Sequence, residues 1–134
     1  MMYFFDTNTC IYFLKGFFPG LQKKVLESQP DRIRIPAIVA AELVYGAQKS
    51  EKAAQTMEKI GNFLRPLQIV PFDMEAAIFY GKIRASLEKT GNIIGLNDMI
   101  IAATVLAHNG TLVTSNIGDF SCIESLLLDD WSHG

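Results

Sequence analysis

The chain has 134 residues, of which 49 % are apolar and 19 % charged, with a formal net charge of −2. That is the size of one domain with material for a real core, and it excludes disorder and a generic, charge-driven polyanion binder. No run approaches the ~18 consecutive apolar residues that span a bilayer, and Asp6 breaks the apolar N-terminal run too early for a secretory signal, so a cytoplasmic protein with no membrane partner is expected. Cys10 and Cys122 fit no zinc spacing and no disulfide framework; both are expected to be small buried hydrophobes. All 12 Lys and Arg lie in residues 1–89, whereas residues 90–134 have none and hold five of the 14 acids.

In chain order, residues 2–5 predict a short buried strand, because the run is apolar and aromatic and stops sharply. Thr7 or Asn8 is the expected cap of a helix through about Lys15, ended by Gly16. Pro19 suits the first turn of a helix through about Ser28. "QPDR" is a turn and "IRIP" (33–36) a strand. Residues 37–48 predict a helix of small and apolar residues with Glu42 in its middle. An amphipathic helix over 51–64 follows, with Ala54, Met57, Ile60 and Leu64 at helical spacing. "LQIVPF" (67–72) is a strand. Asp73 then caps a helix over 74–89, with Ala77, Ile78, Ile83 and Leu87 near one face. "TGNIIGLN" is a loop. Residues 98–108 are apolar almost all round, the pattern of a buried helix, closed by Asn109-Gly110. "TLVT" (111–114) is a strand, "SNIGDF" a polar turn, and "SLLLDDW" a last short strand. Strands alternating with helices or helix pairs predict an α/β fold: a short parallel sheet with helices on both faces and ligands beyond the carboxyl ends of the strands.

That rule brings four acids to one edge. Asp6 follows the first strand and Asp119 lies just after the "TLVT" strand. Asp98 opens the most buried helix, and Glu42 sits in the helix after the second strand. Each has a structural alternative. Asp6 suits a helix cap, Asp98 a helix dipole, Asp119 a turn, and Glu42 an exposed stripe or an ion pair with an arginine such as Arg84. Together they form a repelling cluster that a divalent cation would relieve, and oxygen ligands without His or Cys suit a hard ion, Mg²⁺ or Mn²⁺. The only histidines, His108 and His133, read as a helix-end residue and a tail residue. No serine has a nucleophile-elbow context, "GNIIG" is no phosphate loop, and no dinucleotide fingerprint follows the first strand. Metal-assisted phosphodiester hydrolysis remains the natural use of such a site.

These segments resemble the PIN-domain family, above all its VapC toxins. "FFDTNTCIYFLKG" is similar to the first family motif, "IPAIVAAELVYGAQKS" to the second, and "IGLNDMIIAATVLAHNGTLVTSNIGDF" to the third and fourth; "LLLDDW" is similar to the usual VapC ending. The resemblance runs along nearly the whole chain, and implies a single PIN domain over 1–134 with an α/β/α sandwich fold. It implies that Asp6 and Asp98 are the principal Mg²⁺ ligands, with Glu42 completing the acidic cluster and Asp119 as the fourth, more variable acid. Asn116 stands where many PIN domains have Asp, and Thr7, Asn8 and Thr114 match supporting polar positions. Leu96 departs from a common proline in an "IGPND"-like loop.

The implied activity is an Mg²⁺-dependent endoribonuclease (Mn²⁺ substituting) that uses metal-activated water, leaves 5′-phosphate and 3′-hydroxyl ends, and arrests growth when unrestrained. The implied substrate is RNA, with initiator tRNA cut in its anticodon loop as the specific expectation. The implied partners are a VapB-type antitoxin, a second copy in a homodimer, and operator DNA only through the antitoxin. Lys15, Lys23, Lys24, Lys49 and Lys52 are candidate phosphate contacts. A PIN scaffold that acts mainly by pairing with an antitoxin, and an Mg²⁺ phosphohydrolase of small substrates, are the competing classes.

Overall fold

A computed structural model describes residues 1–133. Five short strands form one sheet: β1 (Tyr3–Phe5), β2 (Ile33–Pro36), β3 (Gln68–Val70), β4 (Thr111–Val113) and β5 (Leu127–Asp129). Their spatial order is β3-β2-β1-β4-β5, and every neighbouring pair is parallel. Seven α-helices connect them: α1 (Thr7–Lys15), α2 (Pro19–Glu27), α3 (Ala37–Gln48), α4 (Ala53–Leu64), α5 (Met74–Thr90), α6 (Leu96–Ala107) and α7 (Ile117–Phe120), with a 3-10 turn at Pro30–Arg32. The expected α/β layering is therefore present. The strand order reverses between β1 and β4. Such a switch point opens a crevice at the carboxyl ends of the two strands, since their connections leave in opposite directions.

The strands are short, and the three central ones, β2, β1 and β4, are buried at or beside their centres. Phe4, Phe5, Ile35, Leu112 and Val113 are in the core, with Val39 of α3 and Ile101, Ala102 and Val105 of α6 packed against them. Trp131, beyond β5, meets Tyr3 and Phe5 edge-on at ring-centroid distances of 5.0 and 5.4 Å, which fixes one sheet edge. Local signals end the helices where the residue types require. Gly16 (φ 68°) and Gly91 (φ 77°) adopt the left-handed conformation that closes α1 and α5, and Asp73 caps α5 by accepting from the Ala76 N–H at 3.0 Å.

Several expectations need correction. The cap of α1 is Asp6, not Thr7 or Asn8, because its carboxylate reaches the Thr9 N–H. α6 begins at Leu96, so Asp98 is its third residue rather than its first. "SNIGDF" is not only a turn: residues 117–120 close into α7, held by burial of Phe120. On α5 the buried residues are Ala76, Ile83 and Leu87, whereas Ile78 faces outward and Ala77 is only half-buried; the helix packs mainly on α6, which sets the buried stripe. On α4, Ile60 is buried with Met57 and Leu64 packed beside it, but Ala54 is exposed. Cys10 is buried as expected, while Cys122, on the turn after α7, is exposed.

Gly110 lies where β4 begins, beneath the Phe4 ring. A Cβ there would overlap that ring and stand 3.3 Å from the Met2 carbonyl oxygen. Because Phe4 is fully buried, it has no free space to retreat into. Gly110→Ala is expected to cost about 1–3 kcal/mol of stability, as overpacked cores do. Urea unfolding checks it, and an unchanged midpoint would contradict the packing described.

Candidate active site

Asp6 is fixed from both sides of the switch point. Its backbone N–H still bonds to Val113 O of β4 at 3.4 Å, and its own carbonyl accepts the Cys10 N–H of α1 at 3.3 Å. Its side chain accepts from the Thr9 N–H at 2.9 Å through Oδ1 and from the Thr114 hydroxyl at 2.6 Å through Oδ2. Thr114 in turn accepts the Asn116 N–H at 2.9 Å, so its proton is directed at Asp6. The Thr9 hydroxyl donates to Val113 O at 3.0 Å and ties the helix start to the same strand. Asp6 is therefore cap and site residue at once. Each carboxylate oxygen has two lone-pair directions, so one bond to each leaves acceptor capacity.

The other acids arrive from separate elements. Glu42 projects from α3, half-buried, and Thr7 at the first position of α1 donates to its Oε1 at 2.7 Å. Arg84 is engaged by Tyr80 and Glu88 instead, so the alternative ion pair does not form. Asp98, half-buried in the first turn of α6, lines the same cleft. This cleft has a volume of about 120 Å³ and is bounded by Asp6, Thr7, Asn8, Glu42, Asp98 and Asn116. Asp119 stays at the rim, exposed on α7, where its Oδ2 accepts from Asn116 Nδ2 at 3.1 Å. Asn116 thus faces the cleft while Asp119 orients it from outside.

No Lys or Arg lines this cleft, and the consequence falls on Asp98. Burial first, then the charges of Asp6, Glu42 and Asp119, push its carboxyl up to about 6. The helix N-terminus should favour the carboxylate, but burial and three like charges outweigh it. The donor set is all oxygen and short of positive charge, which suits a hard divalent cation. Among the described residues no three His, Cys, Asp or Glu side chains are drawn together closely enough to enclose an ion alone.

A second hollow, of about 400 Å³, runs from Glu42 between α1, α3 and α4 and is lined by Ile11, Leu14, Lys15, Leu43 and Lys59 among others. Of the candidate phosphate contacts, Lys15 is the one on this groove. Lys23 lies 3.9 Å from Glu27, Lys24 sits over the Trp131 ring and Lys49 over the Tyr45 ring; Lys52 is exposed. Sequence reading missed Thr9 and Lys59. Thr9 was visible in principle, since Asp followed three residues later by its N–H partner is the spacing of a capped helix. Lys59 carries no signal until α4 folds against α1. His108 caps the end of α6, and His133 lies 3.1 Å from Asp130, both far in the chain from any acid of the cleft.

The model of the PIN domain matches residues 3–122. The chain belongs to the PIN-domain family. Within it, the likeness is to VapC proteins. The chain is 40 % identical over 135 residues to ribonuclease VapC2 of Rickettsia felis, with 98 % of each chain covered. It is 31 % identical to the tRNA(fMet)-specific endonuclease VapC of Salmonella typhimurium, again with 98 % of each covered. The crystal structure of VapBC2 from Rickettsia felis bound to a promoter DNA fragment superposes with a TM-score of 0.91 at 39 % identity, covering 98 % of this chain and 99 % of that one. The PIN-type α/β/α fold expected from the motifs is thus the fold of the chain.

The raised Asp98 carboxyl has a definite pH signature in the metal-free protein. Its folded value, about 6, lies above the ordinary 3.8, so the folded state holds the proton more tightly than the unfolded chain. The stabilising contribution of protonated Asp98 is complete below about pH 4 and is lost as pH rises through about 6. Asp98→Asn is therefore expected to melt higher than the parent at pH 7.5, with the difference vanishing near pH 4. Melting curves in EDTA at the two pH values check it, and a lower melting temperature for the variant at pH 7.5 would refute the electrostatic account.

Proposed function

We propose that this chain is a metal-dependent endoribonuclease, the toxin half of a VapBC-type pair, with Mg²⁺ as its cofactor, replaceable by Mn²⁺. The observation that carries the reading is the cleft at the sheet's switch point, where Asp6, Glu42 and Asp98 meet without a compensating cation. The names of the relatives support the RNA substrate, and that of the Salmonella typhimurium endonuclease supports initiator tRNA in particular. The VapBC2 structure supports a VapB-type antitoxin as partner, with operator DNA reached through it. No helix among the described residues is long and apolar enough to cross a membrane, which agrees with a protein that meets its RNA in the cytoplasm.

A bound Mg²⁺ supplies positive charge for the phosphate and lowers the cost of deprotonating water. The residues of the chain do the rest. Asp6 and Asp98 hold the ion, Asp6 in the one orientation that Thr9 and Thr114 allow. Glu42, aimed by Thr7, orients the attacking water and takes its proton as the new O–P bond forms. The P–O3′ bond breaks in line, and the 3′ oxygen leaves as a hydroxyl after accepting a proton from solvent. The Asn116 amide, restrained by Asp119, faces the cleft and donates toward a phosphate oxygen.

Incubation of the purified chain with total tRNA and Mg²⁺ tests this. Cleavage is expected to stop in EDTA and to fall at least about 100-fold in Asp98→Asn. Thr7→Val, which frees Glu42 without removing it, is expected to lose about 10- to 100-fold in kcat with little change in KM. Cleavage that survives EDTA, or equal rates in Asp98→Asn, would reject the metal mechanism. Cleavage of nucleotides but no RNA would reject the substrate.

A further inference from the structure

One stripe of α3 carries more than Glu42. At 3.6 residues per turn, Glu42, Tyr45 and Lys49 fall within about 60° of one another, some 4.5 and 10.5 Å along the axis from Glu42. Lys49 directly follows α3 but keeps its helical register, its N–H bonding to Tyr45 O at 3.2 Å. Tyr45 is 65 % exposed, although a large aromatic ring gains by burial. The Lys49 ammonium lies 5.0 Å from the centre of its ring. Between Glu42 and Glu51 the chain has no acid. The apolar groove shares Glu42 with this stripe but neither Tyr45 nor Lys49: its other α3 residues are Leu43, Gly46 and Ala47, which line it together with residues of α1 and α4.

We infer that Tyr45 and Lys49 form a nucleotide-binding platform beside the cleft, with an unpaired RNA base stacked on the Tyr45 ring and a neighbouring phosphate on Lys49. This rests on the ribonuclease reading above and adds where the strand runs once it leaves the reacting phosphate. An aromatic face beside a cation is what single-stranded nucleic acid uses on proteins of low net charge, because stacking supplies affinity that bulk electrostatics does not. The Lys49 ammonium covers one face of the ring, which leaves the other face to a base and keeps the cation within reach of that nucleotide's phosphate. Lys15 and Lys59, on the other side of Glu42, continue the positive charge and fit a polyanion laid across the mouth of the cleft. An apolar protein helix, by contrast, would take the groove and leave the Tyr45 stripe in solvent.

The test uses the full chain carrying Asp98→Asn, so that RNA is bound and not cut, with a fluorescein-labelled single-stranded oligoribonucleotide and tRNA as probes. Adding Tyr45→Ala is expected to weaken binding about tenfold or more, whereas Tyr45→Phe, which keeps the ring, leaves it unchanged. Adding Lys49→Ala is expected to lower the slope of log affinity against log salt by about 0.7, the loss of one phosphate contact on a single strand. Photocrosslinking with 4-thiouridine RNA is expected to map to the peptide that contains Tyr45. All variants should melt as their parent does, since the side chains are exposed. Binding by Tyr45→Ala equal to that of the parent, with crosslinks elsewhere, overturns the platform and leaves the ribonuclease reading standing. A Tyr45→Ala variant that loses a VapB-type antitoxin but keeps RNA also overturns it and assigns the stripe to protein. No RNA binding by the Asp98→Asn parent overturns both readings.

Discussion

The fixing of one carboxylate at the point where the sheet reverses direction is the interaction on which the rest depends. Asp6 is held by the Thr9 amide in the first turn of α1 and by the Thr114 hydroxyl just beyond β4, so it joins the two connections that leave the sheet in opposite directions. A charge so placed would ordinarily be a cost, because it is nearly buried and has no cationic partner. Hydrogen bonds to the ionised form offset that cost: each is of the charge-assisted kind, stronger than a neutral bond. Thr114 matters twice, since accepting from the Asn116 N–H leaves its own proton for Asp6. The buried Phe4 and Phe5 hold the strand beneath this point still. The site is rigid where the first acid enters and is completed by acids from helices packed around it.

The later acids meet a charge already in place. Glu42 is stabilised by one hydroxyl, that of Thr7, and remains half-buried. Asp98 is the acid on which burial, and after it the repulsion of the other carboxylates, shows as a raised carboxyl. A site of this kind is destabilised at rest and relieved by whatever positive charge enters it, the usual relation between stability and function at strained sites.

Much of this was legible because the decisive signals are local and sharp. The apolar runs around residues 3–5, 33–36 and 111–113 stop abruptly, and their alternation with helical segments leaves few topologies beyond a parallel sheet. The convergence of Asp6, Glu42 and Asp98 follows from that topology alone. What was not legible depends on packing. "GLN" reads as loop by composition, yet Gly95 serves as the cap of α6 and draws Leu96 and Asn97 into its first turn, leaving Asp98 at the third position. "SNIGDF" has turn residues, but burial of Phe120 folds it into α7 and rotates Asp119 outward, so that Asn116 faces the cleft. Cys122 follows an apolar residue pattern and is still exposed, because the turn after α7 carries it out of the core. No periodicity argument distinguishes these outcomes, since each is decided by a cap, a turn or the burial of one side chain.

The uneven charge along the chain takes on a different meaning in three dimensions. All the cations belong to the first 89 residues and the last 45 have only acids, which suggests two lobes of opposite sign. Folding does not keep them apart. α6 carries Asp98 into the cleft that Asp6 and Glu42 of the N-terminal part also line, so negative charge is concentrated at the centre of the site. Lys15 and Lys59, on α1 and α4, line the groove that starts at Glu42, and Lys49 directly follows α3. A phosphate approaching the bare cleft is repelled, while one approaching the rim is attracted. Since the net charge of −2 provides no long-range attraction, binding must come from contacts made at short range. An extended or looped strand can touch rim and centre together. A small phosphate ester can reach only one of them, and the arrangement of charges therefore favours a polymer.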